Sequence, residues 1–477
     1  MSGMLRVDQA AQWLADAPVQ GDGCAWIARV HTDTRTVEPG DLLVAIKGER
    51  YDANAFLAEA QQRGAAAAIC HPGADRSGLT TMACIEVPDT RLALGALATA
   101  WRAQFSIPVI AVTGSNGKTT VTQMLASILE AFRPNGGSLA TRGNLNNDIG
   151  VPMTLLRLRK EHQIAVVELG MNHPGEITAL AAMAQPTVAL VNNAQREHLE
   201  FMHTVQAVAE ENGNVIAALG LQGVAVFPRD DDYTAVWQRL AGARRTATFA
   251  LDARAGSLAL SCVQAHWVSG AWQVHAQGMG CELHYRLAIA GRHNVKNSLA
   301  AAAAALSAGV SAAAVVQGLQ LFEPVKGRSK ALLLSVQGRE VTLVDDTYNA
   351  NPDSVRAAID VLAELPGPRL LVLGDMGEVG HQGPAFHAEA GRYAKAKGIE
   401  YVLTLGELAQ VAASVFDGAQ HCGSVEALVE HLQALLPKLH SVLVKGSRFM
   451  RMERVVQALQ SMAIGTAAQQ QEPHHAA

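Results

Sequence analysis

Paired cysteines are missing from this sequence. Its six cysteines, Cys24, Cys70, Cys84, Cys262, Cys281 and Cys422, form no C-x-x-C unit. Neither a disulfide frame nor a zinc ribbon is indicated, and buried reduced thiols are expected. Charge is sparse as well: 17% of residues are charged and the net charge is −5. That balance offers no basic surface to nucleic acid, although a local pocket can still be positive. No apolar run reaches the ~20 residues of a membrane span, and no signal peptide is read at the start, where Val7 to Leu14 has the pattern of an amphipathic helix. The Ala-rich stretch Leu299 to Leu306 reads as a tightly packed core helix. What is left is a cytoplasmic globular protein. With 477 residues, 49% of them hydrophobic, it is too long for one core and should hold two to four domains.

Three blocks follow from the order of strand-like and helical segments. The first, 1–104, alternates short strands (Leu42 to Ile46, Ala66 to Cys70, Ala83 to Val87) with helices and closes on a helix from Leu92 to Gln104. The second, 105–323, opens on the buried strand Ile107 to Thr113. Strands at Ile164 to Leu169 and Val188 to Val191 follow, with a helix over Thr119 to Phe132, as in a parallel sheet covered on both faces. From about 223 to 290 the pattern alternates, which predicts antiparallel strands added to that sheet. The third block, 324–465, repeats a βα unit. Its strands Val341 to Val344, Leu370 to Leu373, Tyr401 to Leu405 and Ser441 to Val444 end in polar residues, where doubly wound sheets bind ligands. The fold class expected is therefore α/β in three domains: a small N-terminal α/β domain, a central parallel-sheet ATPase domain with added antiparallel strands, and a C-terminal doubly wound, Rossmann-like domain. Residues 466–477 read as a disordered tail.

The sharpest local signal is Thr113-Gly-Ser-Asn-Gly-Lys-Thr-Thr120. It follows a buried strand and opens a helix, the context a phosphate loop requires. Gly114 and Gly117 let the backbone turn so that N–H groups of the loop (Gly114, Ser115, Asn116, Gly117) and of the helix N-terminus (Lys118, Thr119, Thr120) face phosphate. Lys118 adds positive charge near the β and γ phosphates, and the Thr119 hydroxyl can ligate Mg²⁺. The general pattern has glycine where this chain has Val112, so the loop is a shorter variant. A bare glycine turn is the ordinary alternative, and a phosphate loop alone leaves hydrolase, kinase, ligase and switch protein open.

That variant loop resembles the loops of the Mur ligases and of the related folylpolyglutamate synthases. Further segments resemble the branch of the Mur ligases that adds D-alanyl-D-alanine: Gly143-Asn-Leu-Asn-Asn-Asp-Ile-Gly-Val-Pro152, Asp345-Asp-Thr-Tyr-Asn-Ala-Asn-Pro352, Leu373-Gly-Asp-Met-Gly-Glu378, Val444-Lys-Gly-Ser-Arg448, and, in the first block, Asp33-Thr-Arg35 and Val44-Ala-Ile-Lys-Gly-Glu-Arg50. The resemblance spans about residues 5 to 460. It implies an ATP- and Mg²⁺-dependent ligase in which ATP phosphorylates the terminal carboxylate of a UDP-muramoyl tripeptide. The amine of D-alanyl-D-alanine then attacks the acyl phosphate, giving amide and phosphate. Such chemistry asks for cations between two anions, and for positioning.

The same resemblance implies roles residue by residue. Lys118, Glu168 and His198 are the expected catalytic groups, and Thr119, Glu168 and His198 the expected metal ligands. Asn294 and Asn297 approach the adenine, Arg328 the phosphates and Asp346 the ribose. Thr34, Arg35 and Lys47 hold the UDP, Asn144 and Asn146 the muramoyl part, and Arg196 its carboxylate. Tyr348, Asn349 and Asn351 line the D-alanyl-D-alanine side. Plainer readings stand beside several of these: a polar loop histidine for His198, helix capping for Asn294, a turn and N-cap for Asn349 to Pro352, a solvated lysine at 47. One position departs from the family. Asn212 stands where a carbamylated lysine supporting a second metal is usual, and Glu210 or Glu211 is expected to replace its charge. The rivals are a sister ligase adding one amino acid, a folylpolyglutamate synthase, which lacks a separate first block, and an ATP-binding switch protein. The chain is expected to act as a monomer, without nucleic acid or membrane insertion.

Overall fold

The computed structural model describes residues 3–252 and 259–469. The first block folds around a sheet ordered Val19–Gln20, Ala83–Glu86, Ala67–Cys70, Asp41–Val44, Arg29–His31, parallel except at the Val19 edge. Its last helix, Thr90–Arg102, begins because Asp89 accepts from the N–H groups of Arg91 and Leu92, the usual work of an N-cap aspartate. The apolar stripe Leu94, Leu97, Ala98 and Trp101 is buried and packs on helices Gly150–Leu155 and Glu176–Ala184 of the next block. One apolar core thus runs from Leu5 into the central sheet.

The central sheet is ordered Cys281–Leu287, Ala271–Gly278, Ala259–Val268, Arg245–Ala250, Val224–Pro228, Val188–Val191, Val109–Thr113, Ile164–Glu168, Ser138–Ala140. Antiparallel strands were expected from about 223. Instead the strands Val224–Pro228 and Arg245–Ala250 continue the parallel array, and antiparallel pairing starts only between Ala259–Val268 and Ala271–Gly278. The burial pattern explains the difference. Val224–Pro228 is buried along its whole length, as a strand covered on both faces must be, whereas Ala271–Gly278 and Cys281–Leu287 alternate buried and exposed. The Ala-rich segment lies within the helix Arg292–Ser307, where Leu299 to Ala305 are all buried.

The C-terminal sheet is ordered Lys330–Val336, Arg339–Asp346, Ser441–Lys445, Arg369–Gly374, Tyr401–Leu405, Gln420–Cys422, and only the first pair is antiparallel. The edge strands Lys330–Val336 and Gln420–Cys422 were not expected; the first is apolar but alternates exposed and buried along an edge, and the second is only three residues long and mostly exposed. The helix Glu453–Gln469 occupies 466–469, where a tail was expected, and the rest of that tail lies outside the described residues. Cys70, Cys84, Cys262 and Cys422 are buried and free, as expected of them, but Cys24 is exposed and Cys281 half-buried. Among the described residues no helix is long and apolar enough to cross a membrane.

Candidate active site

Three parallel strands bring their carboxyl ends together: Val109–Thr113 lies between Ile164–Glu168 and Val188–Val191. The loop after the first of them cannot carry side chains at its two glycines. Gly114 has φ +130, and a Cβ there would come within 3.0 Å of Asn192; Gly117 has φ +82, and its Cβ would meet Asn297 at 2.7 Å. Both conformations belong to glycine. The helix Lys118–Phe132 then starts with no side-chain cap, so the N–H groups of its first turn are available to an anion. Those of Gly114, Ser115 and Asn116 are not. Gly114 N donates to Asn212 Oδ1 (3.0 Å), Ser115 N to Asn193 O (3.1 Å) and Asn116 N to Asn193 Oδ1 (2.8 Å). Asparagines brace the loop from outside while its helical end stays open.

Asn212 is the deepest of these braces. It is fully buried, and its Oδ1 also accepts from the Thr113 hydroxyl at 2.6 Å. Glu210 and Glu211, expected to supply charge to a metal, are both engaged elsewhere. Glu210 bonds Gln206 at the surface. Glu211 is buried but spends Oε1 on the N–H of Ile177, at the start of helix Glu176–Ala184, and Oε2 on Asn214. Asn212→Leu leaves the Thr113 hydroxyl and the Gly114 N–H without an acceptor. We expect a loss of about 2–4 kcal/mol from two orphaned donors, read as a lowered urea midpoint; an unchanged midpoint counts against the bracing role.

Lys118 lies inside the loop. Its Nζ donates to Gly114 O (2.6 Å) and Ser115 O (2.9 Å) and pairs with Glu197 at 3.1 Å. Glu197 is also 3.5 Å from His198 Nε2, while His198 Nδ1 is 2.6 Å from Glu378 Oε2. Burial pushes the His198 imidazole down, but the two carboxylates outweigh it and raise its pKa to about 9. His198 thus sits between two glutamates, its buried Nδ1 close to Glu378 but without an aligned hydrogen bond, and its contacts run to Glu197 and Glu378 rather than to Glu168.

Thr119 and Glu168 do meet: the Thr119 hydroxyl donates to Glu168 Oε1 at 3.0 Å, and Asn146 Nδ2 donates to the same oxygen at 2.8 Å. Glu168 is 1% exposed, and its Oε2 is buried with no hydrogen-bond partner. A hydroxyl and a carboxylate with one free oxygen are a donor set that fits a hard cation such as Mg²⁺. Asn144, by contrast, is exposed.

On the nucleotide side, Asn294 and Asn297 form a chain. Asn297 Nδ2 donates to Asn294 Oδ1 (2.8 Å), Asn192 Nδ2 to Asn297 Oδ1 (2.9 Å), and Asn192 Nδ2 also to Asn116 O (2.7 Å). Asn294 is not the helix cap, since Gly291 holds that position at φ +92. From the C-terminal domain, Arg328 stacks over the Tyr348 ring at 4.1 Å. Asp346 pairs with the buried Lys445 at 2.6 Å, and Lys445 also holds Asn349 O. Asn351 does cap the helix Pro352–Ala363, through a full capping box, and its Nδ2 additionally reaches Asn116 Oδ1 at 2.9 Å. Arg196 bridges domains differently from the carboxylate clamp expected of it: it pairs with Asp353 at 2.6 Å and Glu389 at 2.8 Å. The two acids hold its pKa up. A narrow crevice between the domains is lined by Glu197, His198, Asn349, Asn351 and Glu378.

Thr34, Arg35 and Lys47 stay with the first sheet. Thr34 is buried, Arg35 is exposed and paired with Asp33, and exposed Lys47 forms an isolated bridge with Asp52. The reading of the sequence missed Asn192, Asn193, Gln195 and Glu197. The signal was available: a polar run directly after the buried strand Val188–Val191, at the end of a parallel sheet where ligands gather.

Comparison with known proteins agrees with this layout. Residues 27–102 match the Mur ligase family, catalytic domain, residues 112–305 the Mur ligase middle domain, and residues 333–448 the Mur ligase, glutamate ligase domain. The UDP-N-acetylmuramoyl-tripeptide--D-alanyl-D-alanine ligase of Escherichia coli (strain K12) is 40% identical over 90% of this chain and 93% of its own length. The enzyme of the same name from Haemophilus influenzae is 36% identical over 94% and 97%. A crystal structure of MurF from Acinetobacter baumannii superposes with a TM-score of 0.87 at 35% identity, covering 96% of this chain and 98% of that one. MurF ligase from Thermotoga maritima in complex with ADP gives 0.79 at 26% identity, over 92% and 98%.

Proposed function

This chain belongs to the Mur ligase family, and from that premise we propose that it joins D-alanyl-D-alanine to UDP-N-acetylmuramoyl-tripeptide at the expense of ATP. The products are the UDP-muramoyl-pentapeptide of peptidoglycan synthesis, ADP and phosphate. It is an ATP-dependent ligase that forms a C–N bond, as its relatives are. The observation that carries the reading is a convergence. The segment Gly143 to Pro152 reaches the phosphate loop's partner through Asn146 and Glu168, and the segment Asp345 to Pro352 reaches the loop itself through Asn351 and Asn116. Segments expected to hold the acceptor, the nucleotide and the incoming amine therefore share one site.

The roles follow from the chemistry. The first turn of the helix Lys118–Phe132 and Lys118 hold the β and γ phosphates. Thr119 and Glu168 would hold Mg²⁺, which neutralises phosphate charge when bound. His198, whose pKa the neighbouring carboxylates of Glu197 and Glu378 raise, would add positive charge beside the carboxylate that must approach the γ-phosphate. The carboxylate oxygen attacks phosphorus and ADP leaves. The amine of D-alanyl-D-alanine, entering on the side of Tyr348, Asn349 and Asn351, then attacks the acyl carbon, and phosphate departs with the carbonyl restored. Asn294, Asn297, Arg328 and Asp346 orient the nucleotide, and Thr34, Arg35 and Lys47 orient the UDP of the acceptor. The three domains are taken as 1–104, 105–323 and 324–465. A monomer in the cytoplasm, where ATP is supplied, belongs to the same proposal.

The test is phosphate release from ATP with Mg²⁺, UDP-muramoyl tripeptide and D-alanyl-D-alanine, each omitted in turn. Release that needs every component, with UDP-muramoyl-pentapeptide appearing by mass, is the expected result. Release that ignores D-alanyl-D-alanine but answers a single amino acid sinks the reading in favour of a sister ligase.

A further inference from the structure

The antiparallel end of the central sheet carries a cluster that the ligase reaction does not use. In the hairpin Ala271–Gly278 and Cys281–Leu287, Val274, Ala276, Leu283, Tyr285 and Leu287 face the core. The opposite face carries His275, directly across from His284, and Glu282 two residues before His284. The strand Cys281–Leu287 is the outermost of the sheet, six strands from the phosphate-loop strand. At ~4.8 Å per strand that is about 29 Å along the sheet.

We propose that His275, Glu282 and His284 form a binding site for a divalent transition cation of the Zn²⁺ class. The two imidazoles stack with centroids 4.3 Å apart and planes 17° from parallel. Both bring Nε2 close to one carboxylate oxygen: Glu282 Oε1 lies 2.7 Å from His275 Nε2 and 3.2 Å from His284 Nε2, and only the latter is an aligned hydrogen bond. The three donor atoms all lie within 4.8 Å of one another, the only such group of three among the described residues. Donors at 2.0–2.1 Å around a tetrahedral zinc are separated by about 3.3 Å, so side-chain rotations that open the 2.7 Å edge and close the widest one bring this triangle onto an ion. His275 Nε2 is buried and, for all its closeness to Glu282, makes no aligned hydrogen bond. Two imidazolium ions stacked at this spacing repel each other, whereas one divalent ion shared by two neutral rings and a carboxylate satisfies all three. Nitrogen donors select zinc, nickel or copper over magnesium. His266, on the same outer face of the adjoining strand across from Gln273, is engaged with Gln264, so water is the expected fourth ligand.

The test titrates the full chain, stripped of metal with a chelator, with Zn²⁺ alone, and compares it with His284→Ala and Glu282→Gln by calorimetry and thermal unfolding. Both replaced side chains are more than half exposed, so the variants should fold. Wild type should bind one Zn²⁺ more than His284→Ala does, or bind it about tenfold or more tightly, with a Tm rise on adding Zn²⁺ that the variant lacks. Mg²⁺-dependent ligation by His284→Ala should match wild type. Superimposable Zn²⁺ isotherms for wild type and both variants, or no binding at all, overturn the proposal.

Discussion

Lys118→Ala should lower kcat for ligation by about 10²–10³, the cost of removing one preorganised donor from the place where charge develops. The ammonium is 13% exposed and fixed by two loop carbonyls and Glu197, so little reorganisation is needed to meet a phosphate. Arginine should not rescue it. A planar fork cannot occupy a loop whose carbonyls close on a single nitrogen at 2.6 and 2.9 Å. Some stability should go as well, because Glu197 is 7% exposed and would keep only His198 as a cationic partner. Lys118→Ala combined with Glu197→Gln separates the two effects: stability should recover and kcat should not. Steady-state phosphate release and thermal unfolding of the three proteins read this out. A single variant within threefold of wild-type kcat would mean that Lys118 is a structural strut of the loop.

The parts of this site that were legible in the sequence are those written locally. The phosphate loop needs only a strand, two glycines and a helix start within a few residues, and Thr119 and Glu168 were found at the ends of buried strands or the start of a helix. What escaped was non-local. Asn212 and Asn193 brace the loop from positions 98 and 77 residues away, and a single asparagine carries no sign of so distant a partner. Arg196 was given to the substrate carboxylate by family resemblance, and its local sequence carries no sign of its acids, Asp353 and Glu389, which lie in another domain. The plainer alternative for Asn294, a helix cap, does not hold, because Gly291 adopts the cap backbone and leaves the Asn294 amide oxygen to accept from Asn297. The parallel run from Val224 was misjudged for a related reason. An alternating pattern downstream was extended backward over a strand whose complete burial depends on helices elsewhere in the chain.

Glu168→Gln should separate catalysis from stability more sharply than any other change here. The wild-type side chain is nearly fully buried, and one carboxylate oxygen has no partner. Burying a charge in that condition is costly, and such costs persist where activity requires them. Glutamine keeps the shape, and its oxygen can keep the bonds from Thr119 and Asn146; the unpaired group becomes a neutral amide, which loses less on leaving water. The melting temperature should therefore hold or rise. A neutral amide is a poor ligand for a hard cation, so the Mg²⁺ needed for half-maximal ligation should rise about tenfold or more and kcat should fall by about 10². A Mg²⁺ titration of ligation beside thermal unfolding without metal measures both. If Glu168→Gln instead melts lower and keeps its Mg²⁺ dependence, Glu168 is a packing residue that anchors Thr119 and Asn146, and the cation must be held elsewhere in the crevice.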